Sequence, residues 1–420
     1  MKEKLNQIAL PLMLNNVLAL FIGLCDQAMI GHVSLTGFAS VGIVAGIINS
    51  VTGILGATSV SFNILGARAK GDQDQKALAS SYHYHMIQSI MIGIISIGLV
   101  GCLGRIFLQH FYQLQGEVLQ EAMNYAVIFS ASIGLNLMIF MGSSYLKIIN
   151  ETKYVLIGNL TAALCNVVFD YILIFGHFGF PRLGIVGNAM GSILALIVNL
   201  IIYSIIIKKS KPIQFIKISQ KQIRESFKLS LPLMGQEFLE GTLMILAIGM
   251  LVARIGLLEV AVYQLLVTLV EIAFMPIYGY GQAALTLISE GIEHHSKIVG
   301  LAIKQSFIFY SLMAVGLIIG SPLMLKLIID DVSVIQLAYR YLPLVMTVTL
   351  LNIPSTIYKY GLQSIGKETD TFRITCLGSI LSLLFILINF LFNQNLVVIY
   401  LGFGVNYGYL LYRFNLKLQA

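Results

Sequence analysis

Long apolar runs separated by short polar breaks dominate the chain from Ile8 to Tyr412. A helix needs about 20 apolar residues to cross a bilayer. Twelve runs of that kind are read, at 8–30, 39–65, 86–108, 122–146, 154–175, 184–207, 228–253, 260–288, 301–329, 335–362, 370–392 and 396–412. Polar residues interrupt the fourth and the tenth. Backbone in hydrocarbon must satisfy its own hydrogen bonds, and these runs are too long and continuous for barrel strands. Each is therefore predicted to be a helix. The first follows MKEKLNQ, outlasts a signal-peptide core and lacks a small-residue cleavage site, so it reads as a retained span.

The longest polar stretch, residues 208–228, falls at the midpoint and divides the spans six and six. The predicted organisation is a first lobe at 1–207, a cytoplasmic linker at 208–228 running into the seventh span, and a second lobe at 229–420. The halves look duplicated. LPLM occurs at Leu10–Met13 and again at Leu231–Met234, an offset of 221. A Glu-Thr pair follows the fourth span (Glu151, Thr152) and the tenth (Glu368, Thr369), an offset of 217. Six is an even number, so the halves run parallel, related by an axis along the membrane normal. The predicted fold class is an all-α integral membrane protein with twelve transmembrane helices in two parallel six-helix lobes.

Composition narrows the class further. Of 420 residues, 57% are hydrophobic and only 11% charged, against about 25% charged in soluble domains. That leaves no room for a sizeable soluble domain. With both termini on one side, 21 of the 26 lysines and arginines, Lys359 among them, fall on that side and 5 on the other. The termini are thus expected in the cytoplasm of a cell-membrane protein. The net charge of +7 reads as topology, not as nucleic-acid binding. The four cysteines lie in apolar runs without metal-ligand spacing and read as small core side chains. The seven histidines, including His83, His85, His294 and His295, are expected in loops or at span ends without a ligand set. No enzyme and no metal site are implied.

Acids inside the apolar runs carry the chemistry. A carboxylate at the bilayer centre costs about 2.5–3.5 kcal/mol on insertion scales, so by default it marks an ion or substrate pathway. Asn166 and Asp170 are spaced i, i+4 on one face of the fifth span. Asn166 can hydrogen-bond Asp170 whether or not the carboxyl is protonated. Asp26 lies on the first span of the same half. Asp26, Asn166 and Asp170 are the candidate site for a coupling cation, the alternative being a protonated, hydrogen-bonded structural cluster. In the second half, Glu237 and Glu240 share a face of the seventh span and Glu271 lies in the eighth. Three acids with no nearby base inside the membrane suggest a negatively biased cavity that favours cationic substrates.

These residues resemble a known family. DQAMIGH (Asp26–His32), NVVFDYILIFG (Asn166–Gly176), LGIVGNAMGS (Leu183–Ser192) and VYQLLVTLVEIAFMPIYGYGQAA (Val262–Ala284) are similar to the first, fifth, sixth and eighth spans of multidrug and toxic compound extrusion (MATE) transporters. The resemblance covers nearly the whole chain. It implies a secondary active antiporter exporting cationic drugs or toxins by alternating access, with no cofactor beyond the coupling ion, H⁺ or Na⁺, and a monomer in the lipid bilayer. It implies that Asp26, Asn166 and Asp170 hold the cation and that Glu240 matches the family's seventh-span acid; Glu240, Glu237, Glu271 and Gln264 are the candidate substrate contacts. The NorM-like branch carries an acid in the tenth span; here YLPLVMTVTLLNIPSTIYKYGLQ has none. The pattern is closest to the DinF-like branch, which favours protons. The alternatives are a Na⁺-coupled multidrug exporter and a lipid-linked oligosaccharide flippase, which would want basic residues in its cavity.

Overall fold

The computed structural model describes residues 2–31, 35–112, 114–210, 220–291, 294–328 and 332–419. Every regular element among them is helical. In chain order these are α1 (Lys2–Gly31), α2 (Leu35–Gly71), α3 (Gln75–Phe111), α4 (Gly116–Phe129), α5 (Ala131–Ile148), α6 (Lys153–Phe175), α7 (Ile185–Ser210), α8 (Gln220–Phe238), α9 (Met244–Ile255), α10 (Leu257–Ser289), α11 (His295–Ile328), α12 (Val332–Thr349), α13 (Asn352–Ser364), α14 (Glu368–Phe390) and α15 (Leu396–Gln419). A π-helical turn, Leu239–Leu243, joins α8 to α9.

Ten segments among the described residues are long and apolar enough to cross a membrane. They run in chain order between α1 and α15, so the twelve predicted spans each have a helical counterpart. The two interrupted spans are the two that break. The fourth is α4 and α5, divided at Ser130, and the tenth is α12 and α13, divided at Leu350–Leu351. Pro354 sits in the first turn of α13, where its missing N–H costs no helical bond.

The helices overrun the apolar limits. α2 and α3 have 37 residues each, about 55 Å at about 1.5 Å per residue, well beyond a hydrocarbon core of about 30 Å. Asp74 starts α3 by accepting a hydrogen bond from the Ala77 amide at 2.9 Å. His83 and His85 consequently belong to α3 and not to a loop. His85 is fully buried, with its ring 5.4 Å from that of Phe62. Cys102 is exposed on α3 rather than in the core, and Cys165 and Cys376 are half-buried; the side chain of Cys25 lies outside the described residues. Of the predicted linker 208–228, residues 211–219 lie outside the described residues, and α7 and α8 take up the rest.

Contacts divide the chain into two units, Leu14–Ser230 and Met1–Met13 with Leu231–Ala420. Both divisions fall at the repeated LPLM motif, one inside α1 and one inside α8. The first thirteen residues group with the second unit, not with the rest of the predicted 1–207 lobe. There Leu5, Ile8 and Ala9 enter its hydrophobic core, and Tyr280 donates to Asn6 Oδ1 at 3.0 Å. The start of α8 belongs to the first unit, where Ser80 donates to Gln222 Oε1 at 2.7 Å.

Candidate functional site

In the first unit, α6 and α7 are held close by glycines. A Cβ at Gly187 of α7 would lie 2.5 Å from the Leu173 carbonyl oxygen on α6. A Cβ at Gly191, one turn on, would collide with Asp170 Oδ1. Small residues spaced i, i+4 let membrane helices approach backbone to backbone. α6 ends at Gly176, whose φ of 77° is open to glycine at little cost. The reversal after it brings α7 back along α6.

This packing encloses Asp170 completely. Asn188, on the first turn of α7, donates through Nδ2 to Asp170 Oδ2 at 2.8 Å. Asn166 lies one turn before Asp170 on α6 and is also buried. Its Nδ2 has no hydrogen-bond partner, so the amide that donates to Asp170 comes from Asn188 and not, as expected, from Asn166. Asp26 lies in α1, and its side chain is outside the described residues.

In the second unit, Glu240 and Glu237 line a cavity of about 400 Å³. Glu240 sits in the π-helical turn. Such turns occur mostly as single-turn bulges inside α-helices, frequently at functional sites. Lys359 of α13 donates through Nζ to Glu240 Oε2 at 2.7 Å, and the two side chains are 17% and 31% exposed. The expectation of acids without a base is thereby corrected. Lys359 is not a loop charge but a lining residue of the same cavity, with Tyr278, Tyr360 and Tyr407 around it. If all three groups are ionised, Glu237, Glu240 and Lys359 sum to a single negative charge. Ser379 Oγ and Asn406 Oδ1 also line this cavity, buried and without hydrogen-bond partners. Glu271 and Gln264 stand on α10, both exposed, and neither is in the cavity lining. No cluster of three or more His, Cys, Asp or Glu that could hold a metal occurs among the described residues.

Asn188, Gly191 and Lys359 are the residues that reading the spans one at a time misses. A signal existed for each. Asn188 is one of two amides in a largely apolar span, Gly187 and Gly191 form a close-packing pair, and Lys359 lies five residues before the end of a helical span.

Known proteins can now be set beside this geometry. The profile of the MatE family matches the chain twice, over residues 11–172 and 232–391, once in each half of the duplicated pattern. A probable multidrug resistance protein NorM from Thermotoga maritima is 28% identical over 352 residues, covering 80% of this chain and 74% of that protein. The multidrug export protein MepA of Staphylococcus haemolyticus is 24% identical over 412 residues, 93% of this chain and 87% of its own. A solved outward-facing multidrug resistance MATE family transporter of the MOP superfamily has the same fold, with a TM-score of 0.87 at 15% identity over 100% of this chain and 94% of that one. With both halves matched and the fold in common, the chain belongs to the MatE family of membrane transporters.

Proposed function

We propose that the chain is a secondary active antiporter that exports cationic, amphipathic drugs or toxins in exchange for H⁺ by alternating access. It acts in the cell membrane with both termini in the cytoplasm, as a monomer and with no resident cofactor. The likeness to a multidrug resistance protein and a multidrug export protein supports drugs as the substrates. The complete burial of Asp170 carries the choice of ion. A bare carboxylate in a dry site is costly unless it is neutralised or bonded. The Asn188 amide can bond the carboxyl in either protonation state, and a proton neutralises it without a shell of oxygen ligands. Asp170 takes a proton when the site is wet from outside and releases it when the site is wet from inside.

Glu240 meets the substrate cation. That cation replaces Lys359 as the partner of Glu240, and the single net negative charge of the cavity suits a monovalent ligand. The tyrosines around Lys359 supply ring faces for its apolar part. The same ion pair weighs against the flippase alternative: Lys359 is engaged by Glu240 with Glu237 beside it, so a phosphate headgroup finds no net positive charge.

Energetics allow the exchange. One pH unit is worth about 1.36 kcal/mol, a tenfold substrate gradient for one H⁺ per monovalent cation. Each proton in excess of the substrate charge adds about 2.3 kcal/mol per 100 mV. The test is flux in proteoliposomes loaded with a fluorescent organic cation. The lumen should acidify as the cation leaves, with or without Na⁺. Efflux that requires Na⁺ and ignores ΔpH overturns the proposal.

A further inference from the structure

The fifth span, α6, carries an exposed stripe of Ile157, Leu160, Leu164, Val168 and Tyr171. Steps of three and four residues place them on one helical face. An apolar face of this kind on a membrane span suits acyl chains, which are as apolar as leucine. Beyond Gly176 the chain turns back through His177–Arg182, and the turn is tied on both sides. The His177 amide donates to the Ile172 carbonyl at 3.1 Å, and the Leu183 amide to the Leu173 carbonyl at 2.9 Å. The His177 ring stacks on that of Tyr171, with centroids 4.3 Å apart. The turn therefore sits over the lipid-facing stripe and extends it.

At its tip are Phe178 and Phe180, 81% and 54% exposed. Phe178 has a φ of 56°, a left-handed conformation that bulky residues rarely adopt. A fixed turn thus holds two phenyl rings away from the unit, one of them against its backbone preference. In water such rings leave apolar area unburied, which is unfavourable. The second unit repeats the arrangement on a different sequence. The eleventh span, α14, exposes Leu377, Leu381, Leu384 and Ile388 along one face. That stripe runs on into Leu391 and Phe392, 81% and 86% exposed just past the helix end. The two turns, HFGFPR and LFNQN, share large apolar side chains at the tip and polar ones beside them.

We propose that these turns are membrane anchors: Phe178 and Phe180 in one unit, and Leu391 and Phe392 in the other, enter the interfacial layer of a phospholipid bilayer. Continuity identifies the occupant. Each tip prolongs a face that meets acyl chains, at the end of a span, where hydrocarbon gives way to headgroups and aromatic side chains are favoured. Arg182 in the first turn, and Asn393 and Gln394 in the second, are exposed and offer donors to phosphate and ester oxygens. Two side chains to a turn fall far short of the roughly 800 Å² per partner of a specific protein interface. The first turn joins α6 to α7, so its anchor sets the depth of Asp170, which lies six residues before Gly176, about 9 Å along the helix axis.

The chain has no tryptophan, so Phe178→Trp and Phe392→Trp each install a single reporter at a position where no packing is lost. The test is fluorescence of the full chain in phosphatidylcholine nanodiscs, with and without lipid brominated near the top of the acyl chain. Each tip reporter should lose at least half of its emission to the brominated lipid. Leu164→Trp, on the stripe itself, should be quenched as well. A smaller loss at either tip overturns the proposal. Acrylamide then shows what surrounds that tip, water if it quenches freely and protein if it does not. Escape of Leu164→Trp from quenching removes the lipid face that the first tip extends, and overturns the proposal too.

Discussion

Asp170 occupies the space in which residue 191 would carry a side chain. A Cβ built on Gly191 collides with Asp170 Oδ1 and comes within 3.2 Å of the Asp170 amide nitrogen. The carboxyl is thus clamped between the Asn188 amide on one oxygen and bare helix backbone beside the other. Gly191→Ala must push the carboxyl away or part α6 from α7. Proton-driven efflux should fall at least tenfold. Gly408 has open space around it, so Gly408→Ala should leave efflux unchanged. Initial rates in everted vesicles, corrected for the amount of protein in the membrane, check both.

Lys359 and Glu240 make a second prediction of definite sign. If a substrate cation competes with Lys359 for Glu240, removing the lysine helps binding and removing the glutamate hurts it. Lys359→Gln should tighten binding of a monovalent organic cation about tenfold, or about 1.4 kcal/mol. Glu240→Gln should weaken it by at least as much. In the double variant the gain from losing Lys359 should vanish, because its partner is gone. Titration of all four proteins in nanodiscs measures the cycle. A loss of affinity in Lys359→Gln comparable with that in Glu240→Gln would instead make the lysine a substrate contact.

Tyr310 tests the architecture apart from transport. Its hydroxyl donates to the Met346 carbonyl at 2.8 Å and meets the Thr349 hydroxyl, at the end of α12 where the tenth span breaks. The ring is fully buried. Tyr310→Phe keeps the packing and leaves that end of α12 one donor short. Hydrogen bonds between membrane helices average about 0.6 kcal/mol and reach about 1.7. Stability against denaturant in mixed micelles should drop within that range, with substrate binding retained.

The helices were legible because hydrocarbon leaves the backbone few choices, and the duplicated LPLM motif even marks where both units divide. Asp170 and Asn166 stood out because a polar pair in an apolar run is rare. What stayed hidden depends on neighbours in space. Asn188 reads alone as part of a glycine-rich helix start; only the Gly187 and Gly191 contacts bring its amide to Asp170. Lys359 lies near enough to a span end for a charge count to assign it to the cytoplasm, while its side chain reaches a carboxylate 119 residues away. Glu271, an acid in an apolar run, lies on an exposed face of α10, outside the described lining of the cavity that holds Glu237 and Glu240.

The coupling role of Asp170 is tested most directly by drug-driven proton movement through Asp170→Asn. The amide keeps the size of the carboxyl and cannot carry the proton. Proteoliposomes loaded with an organic cation should acidify inside as the cation leaves through the parent chain. The variant should give no acidification, while its affinity for the cation stays within about threefold, under about 0.7 kcal/mol. Acidification at the parental rate by Asp170→Asn would contradict the account.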